Sequence, residues 1–163
     1  MNIQSSVTAA PASPLLLPFP SRNPADGVLA AARRLFAVLE QGAKIDAAIL
    51  RNAMEDAFGA SDNSGAWDWK LAYEACEAAT VLFLQKYVAS LSRKTGSPAA
   101  RLAALGKLAA LLPTHTRRSE ESQRLQQFST PIPLCLAAVT AAAITPHDVV
   151  LEPSAGTGLL AAL

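Results

Sequence analysis

The sequence predicts a mainly α protein, a helical body followed by a strand, a glycine turn and the start of a further helix. Three observations predict it. Ala and Leu contribute 34 and 23 of the 163 residues, and both are strong helix formers. Cap and stop residues recur at helical intervals between Asn23 and Pro113. Only around Val149 does an apolar run lead directly into turn glycines.

Met1 to Arg22 forms a separate compositional zone. Pro11, Pro14, Pro18 and Pro20 fall in it, and Arg22 is its only charged side chain. Prolines block helix and remove backbone donors, so residues 1–22 read as a disordered, extended arm. Asn23 followed by Pro24 is a cap with proline at the first helical position. Leu29, Ala32, Phe36 and Leu39 then recur on one helical face, and Gly42 closes the segment. Asp46 caps a second helix with Leu50, Met54 and Phe58 on its face and Gly59 as the stop. Residues 61–65 are a turn cluster.

A long third helix is expected from about Trp67 to Leu91, its face carrying Trp67, Leu71, Ala75, Ala78, Leu82 and Gln85. Ser97 and Pro98 open a fourth, with Leu102, Leu105, Leu108 and Leu112, stopped by Pro113. These elements make residues 23–112 one helical region. At Pro113 the character changes to the polar run Thr114-His-Thr-Arg-Arg-Ser-Glu-Glu-Ser. Ser119 before two acids suits a short helix start. Thr130 and Pro131 are expected to cap and open a further helix through Leu134 and Ala138 to about Ala143.

Composition excludes several classes. Charged residues are 17% of the chain and the formal net charge is +1, so no domain-wide basic field for nucleic acid exists. Cys76 and Cys135 are too few for a disulfide framework or a Cys-based zinc site and read as free thiols in a reducing compartment. His115 and His147 lie outside any metal-ligand spacing. No apolar run reaches the length of a membrane span, and the proline-broken start lacks the charged front of a secretory signal. The expected setting is the cytoplasm, with no membrane and no metal.

Val149, Val150 and Leu151 suit a strand buried on both faces of a parallel sheet. Glu152 would then stand at the carboxyl end, where open α/β sheets bind ligands. Gly156 and Gly158 permit a sharp turn and close backbone approach, and Leu159 can start a helix whose free N–H groups face that ligand. A plain strand-to-helix turn without ligand fits the same residues. There is no Gly-Lys-Ser/Thr here, so this is not a P-loop.

Glu152-Pro-Ser-Ala-Gly-Thr-Gly158 resembles the S-adenosylmethionine-binding motif of class I methyltransferases, in the Asp/Glu-Pro-x-x-Gly-x-Gly form of the amino-methylating DNA enzymes. Gln127-Phe-Ser-Thr-Pro131 resembles the Phe-x-Thr-Pro box that precedes this strand in their adenine-modifying branch. The region from about Leu29 to Leu163 is similar to the amino-terminal part of bacterial strawberry notch-like proteins. They join a methyltransferase-like domain to a helicase-like ATPase. The segments carrying this likeness are Trp67-Asp-Trp-Lys-Leu-Ala-Tyr-Glu-Ala-Cys-Glu-Ala-Ala and Leu112-Pro-Thr-His-Thr-Arg-Arg-Ser-Glu-Glu-Ser, followed by the two boxes. The resemblance implies that Glu152, Gly156 and Gly158 contact S-adenosylmethionine, with Phe128 and Thr130 nearest its methionine part. It implies a Rossmann-like α/β domain beginning in residues 113–163, with DNA as substrate of the intact relatives and the downstream domain as a partner.

Two features of that family are missing from the 163 residues: the ribose-binding acid about 20 residues past the glycines, and an Asp/Asn-Pro-Pro-Tyr/Phe clamp for the target amino group. The chain is therefore expected to be a truncated, amino-terminal fragment of a methyltransferase and helicase-like protein, inactive alone, with no catalytic residue of its own and with an incomplete pocket, so that binding of S-adenosylmethionine is expected of the intact family and not of this chain alone. The alternative is a self-standing helical binding module. Arg117, Arg118 and Arg124 read as a solvated loop or as phosphate contacts. Trp67, Trp69 and Tyr73 read as anchors of the helical body or as a base-stacking platform.

Overall fold

The computed structural model describes residues 23–115, 124, 129–145 and 147–163. The expected arm over 1–22, the short helix start at Ser119 and the residues Arg117, Arg118 and Phe128 lie outside the described residues. Among those described the protein is mainly helical, with five α-helices and no strand: α1 Pro24–Glu40, α2 Ala47–Phe58, α3 Trp69–Thr95, α4 Pro98–Ala110 and α5 Ile132–Ala142. Short 3-10 turns cover Asp62–Ser64 and Leu160–Ala162.

Local chemistry sets most helix ends. The Asn23 side chain accepts from Ala25 N at 3.1 Å, and Asp46 accepts from Ala48 N and Ile49 N at 2.9 and 2.8 Å. Asp68 accepts from Leu71 N at 2.8 Å, so α3 starts two residues later than Trp67 and runs on to Thr95. Ser97 accepts from Ala100 N at 3.2 Å. Each of these bonds satisfies an orphan N–H of a first turn. The expected Thr130 cap moves by one residue: Pro131 is the cap residue of α5, and it has no side-chain oxygen to cap with.

Helix α3 is the centre of the molecule. It packs against α1, α2 and α4, and the 3-10 turn Leu160–Ala162 rests on α3 and α5. Its buried residues are Ala72, Tyr73, Ala75, Cys76, Ala79, Thr80 and Leu84. The face expected from Leu71, Ala78 and Leu82 is only half-buried, and Gln85 is exposed. On α1 the buried stripe is Gly27, Ala31, Ala32, Leu35 and Leu39, while Leu29 is 41% exposed. Both corrections have one cause. Ala31 and Ala32 of α1 and Ala72, Ala75 and Ala79 of α3 take core positions beside Leu35, Leu39 and Leu84, and so leave Leu29, Leu71 and Leu82 at or beyond the margin of the core. Leu102 of α4 also turns outward, whereas Leu105 and Leu108 are buried. Thr80, buried among apolar neighbours, donates its hydroxyl to Cys76 O at 3.0 Å, which removes the cost of an unpaired polar atom.

Three contacts tie the elements at their edges. Ile45 N donates to Leu111 O at 2.7 Å, joining the α1–α2 loop to the end of α4. Arg34 bonds Asp56 at 2.6 Å between α1 and α2. Lys86 and Tyr87 of α3 both reach Glu40 Oε1 at 2.5 Å.

The expected strand is not formed among the described residues. Val149 and Leu151 are fully or nearly fully exposed and Val150 is 57% exposed, with no second strand beside them to receive their backbone bonds. The expected helix after the glycines is only the 3-10 turn Leu160–Ala162.

Candidate functional site

The two motif segments meet on α3. The box residue Ser129 donates its hydroxyl to Glu77 Oε1. Thr157, between the two turn glycines, donates its hydroxyl to Glu77 Oε2 at 3.1 Å. One carboxylate on the central helix thus receives a hydroxyl from each segment.

Local geometry shapes each segment. Gly156 and Gly158 hold φ of +53° and +85°, a backbone region that favours glycine. Gly158 N donates to Ala155 O at 2.7 Å and closes the turn. Glu152 accepts from Ser154 N at 2.9 Å, so its carboxylate braces its own loop. Leu159, 9% exposed, anchors the far side of the turn in the core. In the box segment, Leu134 N and Cys135 N donate to Pro131 O at 2.9 and 3.1 Å and start α5. The Cys135 thiol donates to Thr130 O at 3.5 Å and holds the residue before the proline.

Charge links the same residues. Burial raises the Cys135 thiol above its usual value, and the Glu152 carboxylate nearby adds to the rise. Glu74, one turn before Glu77, is raised chiefly by burial, with the charges of Glu77 and Asp68 adding. Burial, with Glu77 adding, pushes the Cys76 thiol up to about 12.

Of the residues expected to touch S-adenosylmethionine, Thr130, Glu152, Gly156 and Gly158 lie in these two segments, and Phe128 is outside the described residues. Glu77 was not legible as a site residue. In sequence it is an acid among the small residues Ala75–Ala79, which reads as a solvated position on a helix surface.

The aromatic run serves the helical body. Trp67 is 3% exposed and its indole N–H donates to Ala60 O at 2.8 Å. Trp69 lies 5.9 Å from Trp67 and 6.0 Å from Tyr73, and Tyr73 stacks on His115 at 4.2 Å. A cleft of about 230 Å³ opens beside it, lined by Lys44, Asp46, Leu50, Trp69, Tyr73 and Pro113 among others, and none of the described motif residues lines it. Among the described residues, no three His, Cys, Asp or Glu side chains group as metal ligands, and no helix is long and apolar enough to cross a membrane. No family model, no curated protein and no solved structure matches this chain.

Proposed function

We propose that this chain carries the cofactor side of an S-adenosylmethionine-dependent DNA adenine methyltransferase, joined in the intact protein to a helicase-like part, and that the chain transfers no methyl group by itself. The observation that supports this reading is the meeting of the Ser129–Thr130 segment with the Gly156–Gly158 turn across Glu77, 52 and 80 positions away in sequence. A cofactor that needs both boxes needs them side by side.

The donor set suits the amino-acid end of such a cofactor. A turn with two glycines at positive φ brings backbone N–H groups close to a ligand carboxylate. The hydroxyls and the nearby carboxylates match an ammonium group. S-adenosylmethionine supplies a methyl group on a sulfonium, ready for direct transfer to a nucleophile. Thr130, Gly156 and Gly158 would bind and orient it. Glu152 stiffens the loop through its bond to Ser154 N. In this reading Val149–Leu151 becomes a paired strand of a Rossmann-like sheet when further strands flank it.

Transfer needs the cofactor and the target amino group held in line. Loss of that orientation forfeits on the order of 7–11 kcal/mol of barrier lowering, which leaves no enzymatic rate. The 163 residues hold no Asp/Asn-Pro-Pro-Tyr/Phe clamp for a flipped-out base. Incubation with tritium-labelled S-adenosylmethionine and mixed-sequence DNA, free of host methyltransferases, tests this. No label above a Gly156→Val control is expected; transferred label overturns the claim of inactivity.

A second reading is favoured by the exposure of Val149, Val150 and Leu151. A non-catalytic helical module that pairs this segment with a partner protein would present it in the same way. Calorimetric titration with S-adenosylmethionine separates the two readings, because only the cofactor site responds to Gly156→Val.

A further inference from the structure

We propose that Glu77 is a positioning residue that couples the Ser129–Thr130 segment to the Gly156–Gly158 turn, so that the two halves of the cofactor cradle order together or not at all. Its place in a cofactor cradle rests on the reading above; the coupling itself does not.

The argument is geometric. Both segments lie in loops, and each leads into an ordered element: α5 begins at Ile132, and Leu159 starts the docked end. Glu77 sits mid-helix in α3, which packs against α1, α2 and α4, so its backbone is fixed. Its two oxygens are divided, Oε1 to Ser129 and Oε2 to Thr157. A carboxylate is planar and rigid, so the position of one hydroxyl constrains the other. Bonds that share one partner are not independent, and loss of one frees the side chain to leave the other. A charged acceptor also strengthens each bond relative to a neutral one.

Glutamine separates the hydrogen-bonding role from charge. Its amide accepts one hydroxyl proton and donates to the oxygen of the other hydroxyl, so Glu77→Gln preserves the bridge, whereas Glu77→Ala removes it. Amide exchange in the cofactor-free chain reads this directly at Leu134 and Cys135 of the first segment and at Gly158 and Ala162 of the second, whose N–H groups are all hydrogen-bonded. Glu77→Ala is expected to speed exchange in both sets about threefold to tenfold, the size of one net hydrogen bond, with Leu35 and Leu39 in α1 unchanged and Glu77→Gln close to the parent. Thr157→Val leaves every helix intact and removes one bond directly. It is expected to speed Leu134 and Cys135 as well, although they lie more than 20 positions earlier in the chain. Unchanged exchange in either segment of Glu77→Ala, or at Leu134 and Cys135 of Thr157→Val, overturns the coupling. Titration of the parent chain with S-adenosylmethionine tests the cofactor reading separately. The half cradle lacks the ribose-binding acid, so only weak heat, removed by Gly156→Val, is expected at millimolar cofactor; no heat even there, with the exchange results as expected, overturns the cofactor cradle and leaves the coupling standing.

Discussion

Thr157 donates its hydroxyl to Glu77 Oε2 at 3.1 Å across 80 positions of sequence. The glycine turn is thereby docked on the central helix, and Leu159 beside it enters the core. The end of the chain therefore has two unlike halves. Residues 149–151 stand in solvent, and residues 159–163 pack against α3 and α5.

That division predicts opposite responses to substitution. Val149→Lys with Leu151→Lys is expected to leave the urea midpoint within about 0.5 kcal/mol, as exposed changes do, and to reduce self-association, because an exposed apolar strand edge invites pairing. Leu159→Ala is expected to cost about 2 kcal/mol, since it empties a core position. Deletion of all of 149–163 combines the two effects, so a gain in solubility comes with a loss of stability. Urea melts and sedimentation velocity on the three variants check this.

The contact of α1 with α2 is set by Gly27. A Cβ built there meets the Phe58 ring at 2.5 Å at Cζ and within 2.8 Å at both ε carbons. Alanine would improve helix propensity by up to about 1 kcal/mol, but the overlap costs about 1–3 kcal/mol. Phe58 is half-buried and can swing partly away. A net loss of about 1 kcal/mol is expected for Gly27→Ala by urea denaturation. Adding Phe58→Leu, which removes the outer ring atoms, should restore part of it.

Cys76 predicts an alkaline weakness. Its folded thiol is pushed from 9.0 up to about 12 by burial, with Glu77 adding. The unfolded thiol ionises above pH 9 while the folded one does not. Its stabilising contribution is thus present below pH 9 and lost as pH rises from 9 toward 12, with a slope of about 1.4 kcal/mol per pH unit. Cys76→Ala should flatten that fall in melts at pH 9, 10 and 10.5. At pH 8 the folded thiol should react with a disulfide reagent about a thousandfold more slowly than the denatured chain, because the thiolate is the nucleophile.

The seam between α1 and α3 adds a dependence at both ends of the pH scale. The bond from Lys86, then that from Tyr87, hold the Glu40 carboxyl below its usual 4.5. Lys86 is raised above 10.5 by its bond to Glu40, then by that to Tyr87. The Glu40 contribution is present above pH 4.5 and lost as pH falls through the lowered folded value. The Lys86 contribution is present below 10.5 and lost as pH rises through the raised one. Both groups are exposed, so the effect is small and screened by salt. Glu40→Gln should lower the melting temperature slightly at pH 7 and remove part of the acid dependence.

The legible features were those whose causes are local. Asn23, Asp46 and Ser97 each cap with their own side chain, and Gly59 ends α2 in the left-handed region, whereas the Asp68 cap of α3 was missed because Trp67 reads as part of the helical face. A side chain within three residues of an orphan N–H needs no tertiary partner, so helix starts can be read from neighbours in the chain. The two cofactor-like boxes are legible in the same way, as fixed residue types at fixed short spacing.

Which face is buried, and what the boxes touch, only the tertiary structure decided. Ala31, Ala32, Ala75 and Ala79 are buried where α1 and α3 pack together, while Leu29 and Leu102, bulkier and more apolar, point outward. Hydrophobicity in sequence ranks Leu above Ala, but close packing rewards the small residue wherever axes come near. Glu77 looks like any surface acid until Ser129 and Thr157 arrive from 52 and 80 positions away. Val149–Leu151 has the residues of a buried strand, yet a strand exists only through a neighbour's backbone, and among the described residues no strand stands beside it. Side chains close in sequence determine caps and turns; burial, pairing and the meeting of distant loops depend on which surfaces the chain brings together.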